Sequence, residues 1–375
     1  MAKSTLGIVC SMLFMLCAWA PAHMAVAAEP AATSKKHSAK KRLAQRKHAA
    51  AHAGTLAIDS RERLVKRVVL VHGRRKMVYQ RVAFAPAIPA VPPVVSAGDQ
   101  AGLNLTRDPL DLKSSVALVM DQSSSKVLFE KNSNVALPIA SITKLMTALV
   151  VVEAKQDMNE VLEVSNDDVD HEKNSSSRLR VGSMLTRNNM LHIALMSSEN
   201  RAASSLGRHY PGGLPAFVLA MNAKAKSLGM VGTHYVEPTG LSSQNVASAQ
   251  DLAKLVVAAH EHPILRQFST DTKYAVETGI GGRMLQYANS NHLVANPGWE
   301  IGLQKTGYIN EAGRCLVMQA KIEGRSIVMV FLDSKGKQSR LADAGRIRKW
   351  IEAIKPHAAP SVLQTVSAPL SAPIN

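Results

Sequence analysis

The apolar positions change their spacing along the chain, and those changes mark out the elements. Apolar runs at 115–120 and 126–130 flank the polar stretch Asp121-Gln122-Ser123-Ser124-Ser125, which predicts a β-hairpin. A matching pair of runs, 315–322 and 326–332, surrounds Glu323-Gly324-Arg325. Between the two hairpins the patterning is helical over 189–196, 214–228 and 249–260. A last helix is predicted over 339–354, with Leu341, Ala344, Ile347, Ile351 and Ile354 on one face. Residues 145–152 are almost wholly apolar and lack Gly and Pro, so they predict a helix buried on most sides. Pro138 stands at its entrance, where a fixed φ suits a helix start. Strands at both ends with helices between predict an α+β domain over 112–354, its antiparallel sheet joining N- and C-terminal segments.

The flanks differ in character. Residues 1–27 read as a secretory signal: Lys3 supplies the positive start, 6–20 the apolar centre, and Ala25-Val26-Ala27 the small residues of a cleavage site. The run is shorter than the ~20 residues of a membrane span, and Phe14-Met15-Leu16 before Cys17 lacks the small residues of a lipoprotein site. Export and removal are expected, which leaves Cys315 as the single thiol and no internal disulfide. Cys315 lies in an apolar run and reads as buried packing. Residues 28–90 hold 15 Lys and Arg against Glu29, Asp59 and Glu62, most of the net charge of +17. Much of 28–111 is predicted to be a largely disordered basic tract and Pro-rich linker, with a small hairpin pairing 67–71 with 77–79 around Gly73. The charge alone would suggest nucleic acid, but an exported tract argues against it. A flexible basic spacer is the expected reading of that tract, and attachment to an acidic surface outside the cytoplasm, wall polymer or anionic lipid, the sharper alternative. The Pro-, Ala- and Ser-rich tail 355–375 is predicted to be disordered.

Candidate chemistry begins with Ser141 and Lys144, three residues apart at the mouth of the buried helix and so on one face. A Ser-x-x-Lys alone is a weak signal, since a Ser near a helix start is usually a cap. Two more polar clusters strengthen it: Ser198-Glu199-Asn200 after the apolar 191–196, and Lys305-Thr306-Gly307 after a short predicted strand, 300–304. Ser-x-x-Lys, Ser-x-Asn and Lys-Thr-Gly in this order are the motif set of penicillin-binding proteins and their β-lactamase relatives. With 138–152, 195–203, His209-Tyr210-Pro211-Gly212-Gly213, 220–230 and 236–242, the chain resembles low-molecular-mass penicillin-binding proteins of the D-alanyl-D-alanine endopeptidase type, type 7, over about 112–354.

The resemblance implies a β-lactamase/transpeptidase-like fold with a helical subdomain, and a periplasmic enzyme of wall biogenesis and cell shape, at the periphery of membrane or wall. It implies that Ser141 attacks the carbonyl of a D-alanine in a peptidoglycan cross-link and forms an acyl-enzyme, with β-lactams as covalent inhibitors. Lys144 would be the base, its proton affinity lowered by burial and by Lys305 nearby. Ser198 would relay a proton and Asn200 would hold the substrate amide. Lys305 and Thr306 would bind carboxylate and backbone, and Gly307 would let that strand approach the substrate. The oxyanion would lie between the N–H groups of Ser141 and Tyr308. No cofactor and no metal are implied. Glu199 is expected to point away from the pocket, and Asn289-Ser290-Asn291-His292-Leu293 to support the Lys-Thr-Gly strand. Asp167, Asp168, Asp170, His171 and Glu172 are irregularly spaced and read as a solvated loop.

Three rival readings remain. A class A β-lactamase would carry Glu-x-x-Leu-Asn after its Ser-x-Asn, and none follows Asn200. A D-alanyl-D-alanine carboxypeptidase would usually add a β-rich domain and an amphipathic helix, for which about 20 residues after Ile354 are too few. A non-catalytic wall-binding protein would be expected to have lost one of Ser141, Lys144, Ser198, Asn200 or Lys305.

Overall fold

The computed structural model describes residues 62–71, 73–83, 95–279 and 282–354. The expected signal segment, most of the basic tract and the tail from 355 lie outside the described residues. The chain divides into two units, Met1–Val91 and Pro92–Asn375.

In the first unit, β1 (Glu62–Val71) and β2 (Arg74–Ala83) pair antiparallel in register from Glu62↔Ala83 to Val71↔Arg74. The turn falls at Gly73, whose φ of +73° is open to glycine at no steric cost. The hairpin is thus longer than the sequence pattern suggests. Val68, Leu70, Met77 and Tyr79 are exposed.

The second unit opens with α1 (Ala97–Gln100), then β3 (Ser114–Asp121), β4 (Val127–Lys131), β5 (Leu137–Pro138) and α2 (Thr143–Glu153). After β6 (Val161–Glu163) and β7 (Met184–Thr186) come α3 (Arg187–Met196), α4 (Asn200–Arg208) and α5 (Gly213–Ser227). Next are β8 (Val246–Ala247), α6 (Ala249–His260), α7 (Pro263–Thr270), β9 (Lys273–Glu277) and β10 (Met284–Ala288). The unit ends with β11 (Glu300–Ile309), β12 (Gly313–Ile322), β13 (Arg325–Ser334) and α8 (Ser339–Ala353).

Both predicted hairpins form, and they join: the main sheet runs β11-β12-β13-β3-β4, antiparallel throughout. Strand alternation sends Ala117, Val119, Met318 and Phe331 to one face, where Ala344, Ile347 and Ile351 of α8 cover them. Val116, Leu118, Val317 and Val330 face the other way, onto the helical body around α2, α3 and α6. Nearly all of α2 is buried, because it lies in the middle of that body.

Three boundaries differ from the sequence reading. Residues 95–111, assigned to the linker, belong to the second unit: Ala97 N–H donates to Glu311 O at 2.9 Å, and Asp99 pairs with Lys335 at 2.6 Å. Pro138 does not open the helix but sits in β5, paired with Val246 of β8; a 3-10 turn, Ala140–Ile142, intervenes before α2. Lys305, Thr306 and Gly307 lie inside β11 rather than after it, on the edge strand of the sheet.

Candidate active site

The 3-10 turn carries Ser141 and the first turn of α2 carries Lys144. A buried tie holds this corner: Ile139 N–H donates to Asn245 O at 3.1 Å. Ala140 just before the serine has φ +49°, and Ser198 has φ +64°, a left-handed conformation that costs a non-glycine residue of order 1–3 kcal/mol. Backbone strain thus falls beside two of the candidate hydroxyls.

Lys144 is 1% exposed, and its Nζ lies 3.0 Å from Ser141 Oγ, 2.6 Å from Asn200 Oδ1 and 2.6 Å from the Thr239 carbonyl oxygen. A neutral amine has two N–H groups and one lone pair. Asn200 Oδ1 and Thr239 O can only accept, so they take both N–H groups and leave the lone pair for the Ser141 proton. Burial lowers the Lys144 pKa to about 8, with the carboxylates of Glu237 and Glu199 opposing that shift. Lys305 is completely buried; its Nζ donates to Ser198 Oγ at 2.9 Å and to the Thr306 carbonyl at 2.8 Å. Burial first, then the charge of Lys144, pushes Lys305 well below the usual lysine range. Desolvation is thus the leading cause for both amines, and repulsion between them disfavours charging both at once.

Ser141, Ser198, Asn200, Thr306, Gly307 and Tyr308 line one cavity of about 470 Å³, beneath whose floor the two lysines sit. All eight residues singled out by sequence meet here. Gly307 serves the turn as well as any ligand. A Cβ there would stand 3.0 Å from Ile139 O and 3.1 Å from Ser141 N, so its absence lets the edge strand close on the serine. That closeness sets the N–H of Ser141 beside the strand bearing Tyr308, the arrangement an oxyanion hole needs.

The supporting residues are ordered by polar contacts. Asn289 accepts from Gln304 Nε2 at 2.9 Å and donates to Ser269 O and Asp271 O, fixing the start of the motif strand as expected. Its neighbour Ser290 does more than support: it lies 2.7 Å from Thr306 Oγ1 and lines the cavity. Glu199 faces away from this cavity, taking the Ser177 hydroxyl at 2.5 Å. The acidic loop is only partly solvated. Asp168 is buried against Arg208 at 2.9 Å. Asp170 gathers the N–H groups of Glu172, Lys173 and Ser175, and so presents Ser175 Oγ to Asn200 Nδ2 at 2.8 Å. Cys315 is buried, its thiol pushed up to about 12 by burial.

Sequence reasoning missed Arg340, in the first turn of α8. It lines the cavity and is buried, yet its Nε and Nη1 have no hydrogen-bond partner. A cation in the first turn of a helix opposes the macrodipole, and that misplacement was the available signal. A buried, unpaired guanidinium is costly until an anion reaches it, so the cavity suits a ligand with a carboxylate. Together the groups can strip a hydroxyl, return a proton from the opposite side and hold a carboxylate.

A family profile described as D-alanyl-D-alanine carboxypeptidase matches residues 104–336. The chain is 47% identical over 275 residues to a D-alanyl-D-alanine endopeptidase of Pseudomonas aeruginosa, covering 73% of this chain and 86% of that one. It is 44% identical over 271 residues to a D-alanyl-D-alanine endopeptidase of Escherichia coli, covering 72% and 86%. The crystal structure of the Streptomyces K15 DD-transpeptidase superposes with a TM-score of 0.62 at 24% identity, over 66% of this chain and all of that one, and shares the fold.

Proposed function

We propose, for a chain that belongs to the D-alanyl-D-alanine carboxypeptidase family, a serine D-alanyl-D-alanine endopeptidase that hydrolyses peptide cross-links of peptidoglycan. The observation that carries the reading is the buried Lys144 amine, 3.0 Å from Ser141 Oγ with both its N–H groups committed elsewhere. Lys144 takes the Ser141 proton as Oγ bonds to the D-alanine carbonyl carbon, and the oxyanion meets the N–H groups of Ser141 and Tyr308. The C–N bond breaks as Ser198, backed by Lys305, delivers a proton to the leaving amine. Water then cleaves the ester and the proton returns to Ser141. Asn200 orients the acyl side, and Thr306, Lys305 and Arg340 receive the carboxylate on the leaving residue. Endopeptidase is preferred to carboxypeptidase because relatives at 47% and 44% identity carry that name.

The described residues lining the cavity include no Asp or Glu. No carboxylate is therefore placed to activate water on a penicilloyl ester, and a β-lactamase is disfavoured. The test has two arms. Mass spectrometry after benzylpenicillin treatment is expected to locate a long-lived adduct on Ser141, and purified cross-linked muropeptide dimers are expected to fall to monomers. Rapid turnover of a chromogenic cephalosporin, or release of terminal alanine alone, would overturn the assignment.

The same reading places the enzyme in the periplasm after loss of residues 1–27, with the basic tract holding it to anionic wall polymer or lipid. What supports this is charge: 15 Lys and Arg over 28–90 against three acidic residues. Deleting 28–90 is expected to leave cleavage of soluble muropeptides unchanged. Retention on isolated wall or on anionic vesicles should fall and lose its salt sensitivity; unchanged retention would reduce the tract to a spacer.

A further inference from the structure

The loop 236–242 carries a carboxylate whose contacts the catalytic scheme does not use. Glu237 Oε2 accepts from Thr239 N and Thr239 Oγ1, each at 2.6 Å. Its Oε1 accepts from Gly240 N at 2.6 Å and from Asn245 Nδ2 at 2.8 Å. The side chain has folded its own loop around itself, and both oxygens are occupied. Glu237 does not line the cavity, so it is not placed to activate water there.

What the loop presents outward is the informative part. The Thr239 carbonyl is one of the two acceptors that fix the Lys144 amine. Gly240, at φ +82°, lies so close to the nucleophile's turn that a Cβ would meet Ala140 O at 1.9 Å and Ser141 N at 2.8 Å. The Pro238 carbonyl takes Thr147 Oγ1 of α2 at 2.7 Å, and Asn245 reaches Thr143 Oγ1 at 3.1 Å. Three consecutive residues of one small loop therefore touch the helix of the base, the base itself and the backbone of the nucleophile.

We infer that Glu237 is a positioning residue for acylation: its carboxylate shapes the 236–242 loop so that the Thr239 carbonyl aims the Lys144 lone pair at Ser141. The inference rests on the serine peptidase reading above. A second consequence is electrostatic. The charged groups facing Lys144 are Lys305 on β11, Glu199 before α4, and Glu237 on this loop. Glu237 favours the ammonium form, so removing its charge makes the amine release its proton at lower pH.

Two variants separate position from charge, each read by the second-order rate of labelling with fluorescent penicillin from pH 5 to 10, with thermal melting as a folding control. Glu237→Gln turns one acceptor into an NH₂ facing N–H donors. The plateau rate is expected to fall about 10–100-fold and the acid limb to move down by roughly half to one pH unit. Thr239→Val keeps the charge and loses the two hydrogen bonds of Oγ1, to Glu237 Oε2 and from Leu241 N, so the plateau should fall several-fold with the limb unmoved. A Glu237→Gln protein with the wild-type plateau, or with a lowered plateau and an unmoved limb, overturns the inference; the second result marks general structural support. If Glu237→Gln yields no folded protein, an unchanged plateau in Thr239→Val overturns it. Wild-type protein that takes no label at Ser141 would remove the peptidase reading itself, whereas labelled wild type with unaltered variants removes only this step.

Discussion

Replacing Lys144 by methionine is expected to slow acylation of Ser141 by benzylpenicillin by about 10²–10⁴-fold, the range over which a positioned general base typically contributes. Methionine keeps the unbranched shape of the buried stem and removes only the amine, so the chain should still fold. In the wild type the reactive form is the neutral amine. With the pKa held at about 8 by burial, the neutral fraction rises roughly tenfold per pH unit below that value and levels off above it. The acylation rate should follow the same curve. A serine activated independently of Lys144 would give a flat profile through this range. Lys144→Arg serves as the complementary variant, because a guanidinium stays protonated and is no base at any accessible pH. Survival of activity in Lys144→Met together with its loss in Ser198→Ala would transfer the role of base to the Lys305–Ser198 pair, which sits at 2.9 Å across the cavity. A flat rate from pH 6 to 9 would rule out Lys144 as the base.

The parts of this protein legible in sequence are those where local pattern and final environment agree. The two hairpins stand out as apolar runs, because β3, β12 and β13 are buried on both faces and each hairpin is cut by a polar turn, and both appear in the sheet. The residues 145–152 were legible as a buried helix because burial on all sides demands apolar side chains at every position. The helix α4 was not: it has only nine residues, and of its buried positions Ala202, Ala203, Ser205, Leu206 and Gly207 only Leu206 is a large apolar side chain. Strand β11 was cut short for the opposite reason. Lys305 and Thr306 look like the end of an apolar run, although both are buried inside the strand. The eight site residues were legible through motif and order alone, since no spacing rule brings positions 141, 198 and 305 together. The left-handed backbone at Ala140 and Ser198 had no sequence signal, because neither is a residue type that favours it. Arg340 and Glu237 were hidden among many charges, and only burial and unpaired or shared contacts distinguish them.

Arg340 yields the second large effect. Its guanidinium is buried without a partner for Nε and Nη1, and burial with the charge of Arg314 nearby already lowers its proton affinity. The free protein thus holds a charge in an unfavourable place, and a carboxylate on the leaving residue would relieve it. Arg340→Gln is expected to lower kcat/KM for cross-linked muropeptides by about 10²–10³-fold, as truncating one member of a desolvated charge pair costs 2–5 kcal/mol. The same variant should melt at the same temperature as wild type or higher, because an unpaired buried charge has been removed. Blocking the carboxylate provides the control. A peptide amidated at that position should be a poor substrate for wild type and lose only a few-fold more in Arg340→Gln, since the interaction is already absent. The two changes form a double-mutant cycle whose coupling reports the contact itself. Equal losses for acid and amide substrates would reduce Arg340 to a structural residue of α8. An unaffected acid substrate would place the carboxylate on Lys305 and Thr306 alone, and leave the buried guanidinium without an anion to account for it.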